Sequence, residues 1–242
     1  MTDLQVYATP DELAAAVADF FVDSAQSALT ERGAFYVALA GGSTPKIAYA
    51  LLAQEPRVNA VSWKDVFVYF GDERCVPPDD EQSNYKMAKD AFLDSVPIPL
   101  RNVHRMQGEI EPEAAASAYA KVLREDLGDP PRFDLVMLGM GPDGHTASLF
   151  PGSHPRSDGS ATVAAPFVEK FRTYRITLTP HAINNARAVL IATAGAEKAD
   201  ALSDVLEGHY DPNIRPVQIV RPTSGTLQWM VDRAAASGLR TS

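Results

Sequence analysis

The sequence predicts an α/β fold, a mostly parallel sheet with helices on both faces, and two observations carry that expectation. Short apolar runs alternate with helical stretches along all 242 residues, the pattern that feeds parallel strands through crossover helices. Three of the runs end in glycine loops bearing polar side chains, and the carboxyl edge of such a sheet is where α/β proteins place their chemistry. No composition break, repeat or low-complexity tract marks a linker, so residues 1–242 read as one domain.

Each element has a local reason. Thr9 and Glu12 form a capping box with Pro10 at the first helical position. Leu13, Val17 and Phe21 then recur at helical spacing, and Gly33 closes the helix after Arg32. Phe35–Ala40 is the first apolar run, with a helix expected over Lys46–Gln54. Val66–Phe70 is the second run, followed by a polar loop and a helix from Ser83 to Leu93. Val103–Met106 reads as a weaker strand, Pro112–Leu127 as a strong helix, and Phe133–Leu138 as a buried strand. Arg175–Thr179, Val189–Ala194 and Val217–Val220 complete the expected strands, with a helix at Lys198–Leu206 between the last two. Gly152–Ser160, rich in Ser, Gly, Pro and Asp, reads as a connecting loop beside the third glycine turn.

Composition excludes several classes. The net charge of −9, from 31 acids against 22 bases, lacks the basic footprint of nonspecific nucleic-acid binding. A few convergent cations can still hold one phosphate inside an acidic protein. The aliphatic runs are too short to span a bilayer, and the start Met-Thr-Asp-Leu-Gln-Val has no signal-peptide pattern. One cysteine, Cys75, excludes an internal disulfide and a multi-Cys zinc site. The expectation is a cytoplasmic protein.

The first glycine loop is Gly41-Gly42-Ser43-Thr44-Pro45-Lys46. Gly42, the hydroxyls of Ser43 and Thr44 and the free amides of the next helix form an anion seat, with Thr44 and Pro45 as cap and first helical residue. The spacing is not that of a P-loop. The second loop, Gly71-Asp72-Glu73-Arg74-Cys75, puts two carboxylates and a guanidinium at a strand end. If the strand continues, Asp72 and Glu73 point in opposite directions and only one faces a ligand. A salt-bridged turn is the competing reading. Cys75 reads as a small buried hydrophobe rather than a nucleophile.

The third loop, Gly139-Met-Gly-Pro-Asp-Gly-His-Thr-Ala-Ser-Leu-Phe-Pro151, holds Asp143 and His145 two residues apart. It also spells the dinucleotide fingerprint Gly139-x-Gly141-x-x-Gly144. Three features argue against that reading: Asp143 would face the pyrophosphate, Pro151-Gly152 cuts the helix short, and no acid stands where the ribose reader belongs. What remains is an acid and an imidazole at a strand end, a general-base arrangement. A metal site would need His154 beside Asp143 and His145, and nothing in the sequence brings it there, so no metal is expected. Arg175, at the start of a strand, and Lys198, after Gly195-Ala196-Glu197, stand at element edges where they would complete a phosphate pocket.

Taken in order, Gly41–Pro45, Gly71–Arg74 with Ser83-Asn84-Tyr85, Gly139–Pro151, Arg175-Ile-Thr-Leu-Thr and Gly195–Lys198 resemble the 6-phosphogluconolactonase family. The resemblance implies the fold shared with glucosamine-6-phosphate deaminase and ribose-5-phosphate isomerase. It also implies cofactor-free hydrolysis of a small sugar-phosphate lactone, 6-phospho-D-glucono-1,5-lactone, in the pentose phosphate pathway, with no membrane, nucleic-acid or obligate protein partner. His145 would be the general base, and Asp143 would orient the imidazole, favour its charged form or contact the substrate directly. Gly42, Ser43 and Thr44 would seat the phosphate with Arg175, Lys198 or Arg74, and Asp72 would hydrogen-bond sugar hydroxyls or hold its loop. The deaminases share the glycine–Asp–Gly–His core but carry Asp-Glu-Tyr where this chain has Asp72-Glu73-Arg74. They also keep a carboxylate five residues after the motif histidine, where this chain has Phe150. Deamination and non-catalytic sugar-phosphate binding are the alternatives.

Overall fold

The computed structural model describes residues 3–152 and 160–240. Six parallel strands form the main sheet: β1 (Asp3–Tyr7), β2 (Phe35–Leu39), β3 (Val66–Phe70), β5 (Leu135–Leu138), β9 (Ala188–Thr193) and β10 (Thr226–Asp232), in the order β1-β10-β9-β5-β2-β3. A smaller antiparallel sheet joins β4 (Asp72–Arg74), β8 (Thr173–Leu178) and β6 (Val163–Ala164), and β7 (Phe167–Val168) also pairs with β8. The helices are α1 (Pro10–Arg32), α2 (Ser43–Leu52), α3 (Arg57–Ala60), α4 (Asn84–Ala88), α5 (Pro112–Leu127), α6 (Pro180–Asn184) and α7 (Ala199–Glu207), with a π-helical turn at Lys89–Leu93 extending α4.

The main sheet is buried on both faces, and alternation along β2 shows how. Val37 and Leu39 pack with α1 and α2 residues such as Phe21, Tyr49 and Leu52, while Ala38 faces the other cluster with Leu123 of α5 and Leu202 of α7. Each fully buried large aliphatic or aromatic side chain contributes about 1.5–3 kcal/mol by leaving water, so these two layers dominate the stability of the fold. Helix α1 starts as expected: Thr9 Oγ1 accepts from the Glu12 amide at 3.1 Å, and Gly33 closes the helix with φ 77°.

Several expectations need correction. Helix α2 begins at Ser43 with Gly42 at its cap, because Gly42 takes φ 111° and its carbonyl accepts from the Lys46 amide at 3.1 Å. Thr44 therefore lies in the first turn and is not the cap. Val217–Val220 is not a strand; Pro216 has no amide to offer a ladder, and Pro216–Ile219 forms a 3-10 turn. The missing strand of the series is β10. Arg175–Thr179 does belong to a strand, β8, but in the small antiparallel sheet. Val103 makes one bridge, to Val68, and no longer strand forms there. The Gly152–Ser160 connector and His154 fall, apart from its two end residues, outside the described residues.

The strand order places the site. From β2 the chain steps outward to β3, then returns to the other side of β2 for β5. Neighbouring strands whose connections leave in opposite directions open a crevice at their carboxyl ends. The loops after β2 and β5 are Gly41-Gly42 and Gly139–His145.

Candidate active site

A cavity of about 450 Å³ lies at that crevice. Gly41, Gly42, Asp72, Arg74, His145, Arg175 and Lys198 line it, so three separate glycine turns and two cations from late segments meet in one place. Ser43 and Thr44 do not line it; they sit one and two residues beyond Gly42 in the first turn of α2. Asp143 lies behind His145 rather than on the wall.

The geometry of the third turn is made by its glycines. A Cβ on Gly141 would fall 2.0 Å from the His145 ring, and Gly144 holds φ 79°. No helix follows Gly144; Thr146 and Leu149 bridge instead, which removes the helix start that a dinucleotide site requires. His145 Nδ1 lies 2.5 Å from Asp143 Oδ1, and Lys170 Nζ lies 2.9 Å from Asp143 Oδ2. Burial opposes ionisation of Asp143, but the hydrogen bonds from His145 and Lys170 outweigh it and hold the carboxyl well below the usual carboxylate range. An ionised carboxylate only accepts, so Nδ1 carries the proton and Nε2 is the basic nitrogen of the ring. Phe150 stacks on the imidazole at 4.2 Å and 25°, and Phe171 meets Phe150 edge-on at 5.6 Å. Replacing Gly141 by alanine should displace the ring and lower kcat about tenfold with little change in melting temperature. Steady-state kinetics beside a thermal melt checks this.

The second turn separates its two carboxylates as strand geometry requires. Asp72 faces the cavity, where Ser148 Oγ donates to Oδ2 at 2.7 Å and Asn84 Nδ2 donates to Oδ1 at 3.1 Å. Glu73 points away and caps α4, accepting from the amides of Asn84 at 2.7 Å and Tyr85 at 2.8 Å and from the Ser83 hydroxyl at 3.0 Å. Burial pushes the Glu73 carboxyl up, and those amides pull it back. This explains why Gly71–Arg74 and Ser83-Asn84-Tyr85 travel together: one half folds onto the other. Asn84 and Ser148 lie inside motifs legible in the sequence, but their task is not, since an amide or hydroxyl side chain carries no signal for a partner distant in the chain. Asn84 also needs Gly41, where a Cβ would fall 2.0 Å from its Oδ1.

The cations gather at one side. Arg74 and Arg175 are directly paired across β4 and β8, and neither makes an ion pair among the described residues. Burial and then repulsion from Arg74 pull the Arg175 pKa down. Arg74 donates to the Gln82 carbonyl, and Arg175 lies 5.4 Å from the centre of the Phe171 ring. Lys198, largely buried at the end of the 3-10 turn Ala196–Lys198, pairs among the described residues with Glu197 at 3.7 Å. Among the described residues, three cations thus face the cavity against the carboxylate of Asp72, an arrangement that costs free energy until an anion enters. Cys75 is half-buried and burial pushes its thiol up, which removes it as a nucleophile. Among the described residues no cluster of three His, Cys, Asp or Glu side chains is built to hold a metal, and no helix is long and apolar enough to cross a membrane.

Fold and cavity together define an α/β protein whose sheet-edge cavity is lined by a carboxylate-held imidazole and three cations. The chain belongs to the glucosamine-6-phosphate isomerase/6-phosphogluconolactonase family, whose model matches residues 8–229. It is 39% identical over 218 residues to 6-phosphogluconolactonase of Synechocystis sp., covering 88% of each chain. The solved structure of 6-phosphogluconolactonase from Trypanosoma brucei matches with a TM-score of 0.88 at 32% identity, covering 99% of both chains. A monomeric glucosamine-6-phosphate deaminase matches with a TM-score of 0.84 at 21% identity, covering 98% of this chain and 100% of that one, a likeness of fold alone.

Proposed function

We propose that this chain hydrolyses 6-phospho-D-glucono-1,5-lactone to 6-phospho-D-gluconate, the lactone-opening step of the pentose phosphate pathway, as one domain acting in the cytoplasm without an obligate protein partner. The observation that carries the reading is the shared cavity: a carboxylate-held imidazole and an arginine–arginine–lysine group line the same walls. His145 Nε2 takes a proton from water as its oxygen attacks the lactone carbonyl carbon. The tetrahedral intermediate then collapses, the C1–ring-oxygen bond breaks, and the imidazolium returns the proton to the departing oxygen. General base catalysis of this kind typically contributes about 10²–10⁴ in rate. Asp143 fixes the tautomer and the ring direction without touching substrate.

Arg175, Lys198 and Arg74 bind the phosphate, with Gly42 and the first-turn amides of Ser43 and Thr44 at the edge of the seat. Asp72, tied to Ser148 and Asn84, locks three loops together and offers its carboxylate to sugar hydroxyls. Phe150 bears on the choice of reaction. Its ring covers the face of His145, so an aromatic side chain occupies the position where the deaminases keep a ring-opening carboxylate. Lys198→Ala should raise KM by about tenfold with kcat nearly unchanged, because it binds the phosphate equally in ground and transition states; an unchanged KM removes Lys198 from the seat. Initial-rate hydrolysis of fresh lactone, measured against an enzyme-free blank, tests the reading as a whole.

A further inference from the structure

The hairpin β7–β8 carries a residue that the mechanism above leaves without a task. Its tip, Lys170 and Phe171, bears on the base from two directions. Lys170 Nζ bonds the Asp143 oxygen that His145 does not use, and Phe171 braces Phe150, which in turn covers the imidazole face. We propose that Lys170 is a positioning residue for the general base: by holding Asp143 Oδ2 it lets Oδ1 orient His145 while weakening the pull of the carboxylate on a second imidazole proton. This rests on the assignment of His145 as base.

The physical argument is a competition for one negative charge. A carboxylate beside an imidazole favours the imidazolium, and a base that is already protonated cannot accept from water. An ammonium 2.9 Å from the same carboxylate offsets that attraction, so the imidazole keeps its orienting hydrogen bond and stays free to accept. The other charges facing His145 do not supply this. From the turn after α7, the Arg215 guanidinium donates to the Asp143 carbonyl oxygen at 3.2 Å but is already neutralised by Asp204 at 2.6 Å. Across the cavity Asp72 opposes Arg74, Arg175 and Lys198, and those cations are to be met by the substrate's own phosphate. Among the described residues, Lys170 is the lysine or arginine that pairs directly with the Asp143 carboxylate. Its side chain is 54% exposed, so its influence is screened and falls with salt.

The test compares wild type, Lys170→Met and Lys170→Arg by the pH dependence of kcat/KM for lactone hydrolysis at low and high ionic strength. In Lys170→Met the acid limb should move to higher pH by roughly half a unit at low salt and by less at high salt, while Lys170→Arg keeps the wild-type limb. A purely structural role would lower activity at every pH and leave the limb in place, which overturns the proposal. A limb displaced equally in both variants overturns it too, because charge would then not be the cause. NMR titration of the His145 ring in the ligand-free proteins gives the same comparison without turnover. A displaced ring titration in a protein that hydrolyses no lactone would therefore count against the proposed reaction and not against Lys170.

Discussion

His145→Ala lowers kcat by about 10²–10⁴-fold while affinity for 6-phosphogluconate stays close to that of wild type. The two halves of this result separate a lost base from a lost fold. The imidazole is held by Asp143 on one nitrogen and stacked by Phe150 on one face, and neither contact belongs to the arginine side of the cavity. Removing the ring therefore leaves the anion seat standing. Asp143 is held ionised well below the usual range, so the acid limb of the pH profile reports the imidazole; in His145→Ala that limb should disappear along with the rate. Near-normal turnover would show that some other group activates the water.

The second large effect falls on the paired arginines. Arg74→Met/Arg175→Met should reduce kcat/KM for the phosphorylated lactone by about 10²–10⁴-fold, since each charge-assisted hydrogen bond contributes about 1.5–3 kcal/mol and 1.4 kcal/mol is a factor of ten. The same double variant should act on glucono-1,5-lactone, which lacks the phosphate, about as slowly as wild type does. The reason is the register of β4 and β8, which sets Arg74 opposite Arg175, with neither in an ion pair among the described residues. Such a pair repels itself when empty and so favours an incoming dianion. An equal loss on both lactones would assign at least one arginine to the carbonyl oxygen instead of the phosphate.

The sequence spoke clearly wherever local chemistry decides the outcome. Thr9, Pro10 and Gly33 mark the ends of α1 because caps act within one turn, and Pro112–Leu127 matches α5 for the same reason. It spoke poorly where pairing decides. β1 reads Asp-Leu-Gln-Val-Tyr with an exposed pattern and becomes a strand only by lying beside β10. β10 carries Gln228 and ends at Asp232, both buried, which hides an otherwise ordinary buried strand. Val217–Val220 looks more apolar, yet Pro216 and the carbonyl-seeking Gln218 amide turn it into a short helix. Arg175–Thr179 is a strand by composition, but nothing in its residues says that it pairs antiparallel with β4 to bring Arg175 beside Arg74.

The site shows the same division. The residues that glycine turns present directly, His145, Asp72, Arg74 and Gly42, all reach one cavity. Ser43 and Thr44 stand one step further from the cavity than a Thr44 cap would put them, because the unusual backbone of Gly42 starts α2 at Ser43. Asn84, Ser148 and Lys170 act across 12, 76 and 27 residues of chain on Asp72 and Asp143, and only the folded sheet brings them there.

The most direct measurement follows three reactions side by side under one condition: fresh 6-phospho-D-glucono-1,5-lactone with the protein, the same lactone with no protein, and glucosamine 6-phosphate with the protein. The account predicts lactone opening far above the spontaneous blank and no ammonia release. Opening at the blank rate, with 6-phosphogluconate still bound, would make the chain a sugar-phosphate binder, and ammonia released from glucosamine 6-phosphate would make it a deaminase; either contradicts the account.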